Sequence, residues 1–510
     1  MFEHYLAGGG LRLAEVVIYS SIWIVTGCLI AAIFRRMLGE QKVRQLFAND
    51  TRWGLATGWL IGMLLPVCSL GVIPVVRELH RSGVNRGTIV AFGLTAPLFN
   101  PMSVLYGLTL SDPMAILSFS LCALLIVSVL GFIWDRWGVE KSKFSGESRK
   151  PAVGIKRMIA VFDSASREMV GPTLIYIVIG IFASVSLAVM IPKGFLQDQV
   201  ERDNIWAPIN VALMATPIYS TPLLAMSQIG GMFQHGNSIG GAFSLLILGA
   251  GVNLGLLAWF ARTYGVKKFV MFYLLLVMTT VSLAYAVDKP LIPKGVDPAG
   301  HSHAFDVYTH PFGENQPNEI FYAKLKAAEF WEKNEFGATT MMAGMMVCGI
   351  VFVVIRKFFD LDEWMTADKE LEKMDRIVPG WVLGLTTVVG LIATSVTGCY
   401  LYYPAPKDLL ADMAIVNTEC VLSARNGDWE AAEKWLGFSD DLSRRLEVGV
   451  FLRKGSVAEF QGTKAKVYRQ KLDELKEFVE ARNKDGIADR CQAVADAYLR
   501  MSNSFRDIEF

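Results

Sequence analysis

Apolar positions along this chain come in unbroken runs of about 18 residues or more, too long and too uniform for one face of a helix on a soluble core. Such runs lie near 14–34, 113–134, 170–192, 267–287, 338–355 and 380–401. Each predicts a helix able to cross a ~30 Å hydrocarbon layer. Segments 87–110 and 239–261 are long enough but broken, by APLFNP at 96–101 and by GAGVN at 249–253. Segments 53–82 and 206–234 are more interrupted still, centring on LLPVCSLGVIP (64–74) and ATPIYSTPLL (215–224). Irregular backbone at membrane depth survives only where protein or a water-filled cavity satisfies its N–H and C=O groups. A matched pair of such segments in the two halves of a chain points to a transporter's substrate site.

Lysine and arginine placement sets direction. Loop 35–52, loop 135–168 and the turn 262–268 are rich in these residues and are expected in the cytoplasm. The chain then has to leave the cytoplasm at 52 and return by 135. That count agrees with the charges if 53–82 enters and returns as a hairpin, 87–110 exits and 113–134 re-enters. The second half mirrors it, with 170–192 going out, 206–234 dipping in from outside, 239–261 going in and 267–287 going out. Ten plain helices is the alternative. The expected fold is therefore an all-α polytopic membrane protein, an inverted repeat of transmembrane helices with two re-entrant hairpins. Two extra C-terminal spans and a small extracytoplasmic helical bundle complete it.

The expected organisation is a permease core at 1–290, with repeat one about 14–134 and repeat two about 170–287. An extracytoplasmic loop follows at 291–337, two additional spans at 338–403, and an extracytoplasmic domain at 404–510. In that domain the apolar spacing predicts helices at about 406–425, 428–452, 456–483 and 487–504. Cys420 and Cys491 fall in its first and last helices, where either a disulfide or two buried thiols fits.

Composition agrees with a membrane protein: 53% hydrophobic and 19% charged residues, with a net charge of +1. That balance gives no electrostatic footprint for nucleic acid. The seven cysteines form no CxxC pair, which argues against a zinc ribbon or a thioredoxin-type centre. The first apolar run has no basic segment before it and no small-residue cleavage site after it, so it is expected to stay as a helix. No enzyme chemistry is expected. The partners expected are the lipid bilayer and a small-molecule substrate, with a homo-oligomer or an extracytoplasmic protein partner left open.

The broken segments carry the candidate chemistry. Thr221 before Pro222 is an N-cap and N1 pair, so a helix is expected from there to about 234. Asn100 before Pro101 repeats that logic, and Ser69 to Pro74 offers a third start, with Gly71 permitting a tight turn. If these starts meet at the bilayer centre, several positive helix ends converge there and suit an anion or an electron-rich polar group. Prolines that merely kink packed helices are the plainer reading. The substrate-binding candidates are Pro66, Cys68, Ser69, Gly71, Pro74, Asn100, Pro101, Pro217, Tyr219, Ser220, Thr221, Pro222 and Asn253. Cys68 is either a ligand for a soft substrate or a small packing residue. Its counterpart in the second half is Tyr219, in PIYS against PVCS. No Asp, Glu or Lys sits centrally in the core spans, where carboxylates would couple protons or sodium. In the outer loop, HSHAFDVYTHPF (301–312) offers His301, His303, Asp306 and His310 as a candidate divalent metal site; a polar loop folded on its aromatics is the alternative. No other cofactor is expected.

The stretch 66–101 resembles the predicted permease family that includes the organoarsenical exporter ArsP and YraQ. Pro66, Cys68, Ser69, Gly71, Pro74, Gly83, Ala91, Phe92, Pro97, Asn100 and Pro101 carry the likeness. Pro217, Ser220, Gly236, Gly240 and Asn253 form a weaker second copy, and the resemblance covers about 10–290. It implies a permease, an exporter of a small solute such as a metalloid, an organoarsenical-like compound or another soft or anionic species. Leu70 stands where the family has a second cysteine, and the second copy has none, so the tips supply a single thiol. A membrane-anchored sensor or a redox- or metal-handling assembly component, acting through its outer domains, is the rival reading.

Overall fold

The long first helix, α1 (Phe2–Ile33), begins well before its apolar run and passes through a π turn at Phe34–Leu38 into a short α2 (Gly39–Leu46). The structure is a computed structural model that describes residues 2–47, 53–137, 156–192, 194–293, 303–311, 335–359, 361, 364 and 380–506. Among the described residues every regular element is helical and none is a strand. Among the described residues five helices are long and apolar enough to cross a membrane: Tyr5–Leu46, Pro113–Arg136, Pro172–Met190, Val266–Asp288 and Gly337–Ile355. The pair Ile239–Ala250 and Leu254–Tyr264, bent by 59°, makes a sixth. The chain is a multi-pass membrane protein.

The same order of elements occurs twice. First come α1, a broken hairpin of α3 (Gly54–Leu64) and α4 (Val72–Arg81), a broken helix of α5 (Arg86–Thr95) and α6 (Pro101–Leu110), and the long α7 (Pro113–Trp137). After α8 (Lys156–Val170) come α9 (Pro172–Met190), a hairpin of α10 (Ala207–Ala215) and α11 (Pro222–Gln234), a broken helix of α12 (Ile239–Ser244) and α13 (Leu254–Tyr264), and α14 (Val266–Asp288). A π segment, Leu245–Ala250, extends α12 up to its break.

From the hairpin ends onward the two copies keep one register. Gly83, Gly87, Leu98, Asn100, Gly131 and Asp135 recur as Gly236, Gly240, Gly251, Asn253, Ala284 and Asp288, each pair 153 positions apart. Gly83 and Gly236 both turn the chain with positive φ, 74° and 64°, a conformation that glycine adopts without strain. Small residues also let helices approach closely, the usual packing device where apolar surface alone gives no drive. A methyl on Gly87 would overlap the Gly131 carbonyl, and one on Gly240 would lie 2.6 Å from the Ala284 carbonyl oxygen.

Buried charges are paired off within and between helices. Asp163 of α8 is fully buried and gathers Arg167 (2.9 Å), Arg36 (3.7 Å) and Arg356 (2.8 Å). Arg77 (2.6 Å) and Arg81 (3.7 Å) of α4 reach Glu168. Arg356 follows α15 (Glu335–Ile355), which packs on α1 and α8; Ser21 Oγ of α1 lies 3.1 Å from Thr339 Oγ1.

By its internal contacts the chain divides into two units, residues 1–104 with 114–392 and residues 105–113 with 393–510. After α16 (Gly380–Tyr402), the second unit holds α17 (Pro406–Asn426), α18 (Trp429–Lys454), α19 (Glu459–Glu480) and α20 (Ile487–Arg506). Gly427 (φ 72°) and Gly455 (φ 74°) end α17 and α18 in the left-handed region, the usual glycine stop. Leu409, Met413, Leu446, Tyr468, Leu472, Val494 and Phe505 form its core, with a buried Arg469–Glu447 pair at 2.5 Å. Cys420 and Cys491 are both buried and free, so of the two readings left open by the sequence the structure has the thiols. Burial pushes the Cys420 thiol up to about 12, with the neighbouring Cys491 adding to the shift.

Candidate functional site

Three of the broken elements restart on a side-chain cap, and the first hairpin turns on a thiol. In the first hairpin, the Gly71 amide donates to Cys68 Sγ at 3.3 Å and the Val72 amide to the Cys68 carbonyl at 2.8 Å. Residues 65–71 therefore turn as a unit, with Pro66 in the break and Pro74 inside the first turn of α4. In the second hairpin, Pro217, Tyr219 and Ser220 occupy the break. Thr221 Oγ1 then accepts the Leu224 amide at 3.2 Å, and Pro222 opens α11. Asn100 Oδ1 accepts the Ser103 amide at 2.8 Å ahead of Pro101, while Ser103 Oγ returns the favour to the Asn100 amide at 3.0 Å. Asn253 Oδ1 accepts the Leu256 amide at 2.9 Å. Each cap satisfies only one of the four amides that a helix start leaves open.

The two tips meet. The Tyr219 hydroxyl lies against the Cys68 thiol and the Ser20 hydroxyl, without hydrogen-bond geometry to either. So the counterpart positions of the two copies touch each other. Leu98 and Gly251, another counterpart pair, also touch: a methyl on Gly251 would lie 2.8 Å from Leu98 Cδ2. Glycines of the long helices seat the tips. A methyl on Gly27 would overlap the Gly71 carbonyl, and one on Gly180 would lie 2.7 Å from Leu70 Cδ2 and 2.9 Å from Asn253 Oδ1. Cys68, Ser69, Asn100, Ser220 and Asn253 have no exposed surface, and Tyr219 has 4%.

A small cavity of about 40 Å³ adjoins the second tip, lined by Arg12, Glu15, Ser184, Tyr219, Thr221 and Tyr308 among others. It has room for about one water. The segment 303–311 covers it. Arg12 donates to the carbonyls of Thr309 (3.0 Å from Nε) and Asp306 (2.8 Å) and pairs with Glu15 at 2.6 Å. Tyr308 donates to Gln228 Oε1 of α11 at 2.7 Å, and the His310 amide donates to the Ile191 carbonyl at 2.7 Å. Burial pushes the Tyr308 hydroxyl up to about 12, so it stays a donor at any ordinary pH. Of the residues proposed for a metal, His301 lies outside the described residues and the side chain of His303 is not described. Asp306 serves through its carbonyl, and the buried His310 ring stands edge-on to Tyr5 with its centroid 5.8 Å away. Among the described residues no three His, Cys, Asp or Glu side chains converge as a metal site.

Sequence reasoning missed Ser20 and Ser184, whose Oγ accepts the Tyr219 amide at 3.1 Å. It also missed the pair Arg12 and Glu15, although opposite charges three residues apart at the head of an apolar run are a visible signal.

The family model with the description "Predicted permease" (ArsP_1) matches residues 12–288, over half of the chain. The chain is 31% identical over 88 residues to the UPF0718 protein YcgR of Bacillus subtilis, covering 17% of this chain and 30% of that one. It is 23% identical over 193 residues to the "Putative two-component membrane permease complex subunit" of Streptococcus mutans, covering 36% of this chain and 63% of that one. The chain thus spans less than two thirds of the length of each of these curated relatives. No solved structure matches it. The match over 12–288 takes in both hairpins and both capped breaks, and the chain belongs to this family of predicted permeases.

Proposed function

We propose that the chain is a secondary transporter that moves a small solute across the cytoplasmic membrane through two inverted copies of one helical unit. The observation that carries this reading is that the two hairpins are tied to different sets of neighbours. The ends of the first reach the arginine-rich segments: Thr57 Oγ1 donates to the Phe47 carbonyl at 3.0 Å, and Arg77 and Arg81 pair with Glu168. The ends of the second are tied to segments predicted outside. Asn210 Nδ2 donates to Gln199 Oε1 at 3.1 Å, and the Ser238 amide donates to the Val200 carbonyl at 2.9 Å. Asp163 gathers arginines from three segments that the positive-inside rule assigns to the cytoplasm, which supports the same orientation.

On this reading each hairpin dips into lipid from its own side, and the tips meet near the midplane at Cys68 and Tyr219. Rocking of one copy against the other exposes that pocket to each side in turn. Export, and a metalloid or organoarsenical-like cargo, rest on the family resemblance. Residues 404–510 are assigned to the outer side as a module for a protein partner.

Single-cysteine variants Asn85→Cys and His235→Cys in a cysteine-free background test the topology. An impermeant maleimide applied to intact cells is expected to label His235→Cys and to label Asn85→Cys only after permeabilisation. Labelling of both from one side would overturn the inverted arrangement. A deletion strain screened against metalloids, organoarsenicals and thiol reagents then narrows the cargo.

A further inference from the structure

Two buried carboxamides in the core have donors with nothing to donate to. Asn100 and Asn253 have no exposed surface, and the Nδ2 of each lacks a hydrogen-bond partner. Their orientation is fixed by chemistry, because each Oδ1 accepts an amide of the helix that follows. Each NH2 group is therefore turned away from its own helix. The two residues are counterparts in the repeat, at the starts of α6 (10 residues) and α13 (11 residues). Buried polar groups are nearly always paired, and these two unpaired donors stand at matching places in the two copies, each at the start of a broken helix.

The surroundings select the kind of ligand. No Asp, Glu, Lys or Arg occurs in 64–74, 96–101, 215–224 or 249–253. Asn253 sits beside Leu70 of the first tip, across Gly180. Four half-helices, α4, α6, α11 and α13, begin at these breaks and present their positive ends there. A soft metalloid would need two or more thiolates. The four breaks themselves supply one thiol, Cys68, whose sulfur accepts the Gly71 amide.

We infer that Asn100 and Asn253 are the recognition pair for a small oxyanion, whose oxygens accept their Nδ2 hydrogens at the positive ends of α6 and α13. This rests on the permease reading and names its cargo class.

The test uses full-length protein in detergent, with thermal midpoint and tryptophan fluorescence followed against sodium nitrate, selenite and arsenate. Sodium chloride controls for ionic strength, and phenylarsenous acid is the thiol-seeking probe. At least one oxyanion is expected to give a saturable upward shift that chloride does not. Asn100→Asp and Asn253→Asp keep the cap oxygen but replace the donor by a negative oxygen. Each buries a carboxyl group without a cation beside it and is expected to lower the ligand-free midpoint. Binding is therefore read against each variant's own baseline, where that oxyanion's Kd is expected to weaken about tenfold or more. Absence of any oxyanion shift would overturn the inference, as would oxyanion binding indifferent to both substitutions. So would a shift produced by phenylarsenous acid alone and lost in Cys68→Ser. Binding in detergent needs no transport, so a failed topology test with intact oxyanion binding would sink the permease reading only. Correct topology without oxyanion binding would sink this inference only.

Discussion

Asp135 Oδ1 accepts the backbone amide of Gly87 at 2.7 Å, joining the end of α7 to the start of α5. The second copy repeats the bond: Asp288 Oδ1 accepts the Gly240 amide at 2.7 Å and the Ser238 hydroxyl at 2.9 Å. A carboxylate at a helix start satisfies an open amide and complements the dipole. Replacing either aspartate by alanine should therefore lower stability by about 1–2 kcal/mol. The thermal midpoint of the purified protein checks it, and the loss at Asp288 is expected to be at least as large as that at Asp135, because Asp288 also accepts the Ser238 hydroxyl.

Gly27 is a point of contact between α1 and the first tip. Gly27→Ala puts a methyl into the Gly71 carbonyl, and overpacking of this kind costs about 1–3 kcal/mol. Gly344→Ala is the control, since nothing lies within 4 Å of the added methyl. Gly27→Ala should lower the midpoint and the yield of folded protein, and Gly344→Ala should leave both unchanged.

Arg12 holds the segment over the cavity by a planar fork of bonds to two carbonyls. Lysine has no such fork, so Arg12→Lys should release the segment nearly as fully as Arg12→Met. A cysteine introduced at Val307 reports it: its labelling rate should rise several-fold in both variants. An unchanged rate in Arg12→Met would mean that the Tyr308–Gln228 bond suffices.

Much of this was legible along the chain. The Thr221–Pro222 and Asn100–Pro101 pairs predicted helix starts because a capping side chain and a residue without an N–H meet there, and α11 and α6 begin at those prolines. The apolar runs announced α7, α9, α14 and α15 because lipid asks for uniform surface. The polar head of α1 hid its true start: the apolar run begins near 14, whereas the helix begins at Phe2 and Arg12 finds its carbonyls nearly 300 residues away. Ser20, Ser184 and the two aspartate caps were hidden for the same reason, since a single small or acidic residue has no meaning without its partner across the fold. The 153-residue register that links Asp135 with Asp288 was present in the sequence, although the weaker second motif masked it.

Cys420 and Cys491 give a chemical check on the bundle. A thiol raised from 9.0 to about 12 by burial holds roughly a thousandfold less thiolate at neutral pH. Iodoacetamide at pH 8 should leave Cys420 unmodified in the native protein and react once it is unfolded. Reducing and non-reducing gels should give one mobility. A faster-migrating non-reduced band would establish a disulfide instead.

The meeting of Cys68 with Tyr219 joins a small side chain to a large one at the place where two like halves face each other. Unlike partners at such a seam make the inward-open and outward-open arrangements unequal in energy. On the transporter reading the protein thus has a preferred resting side, and swapping the two residues is the change that should invert it.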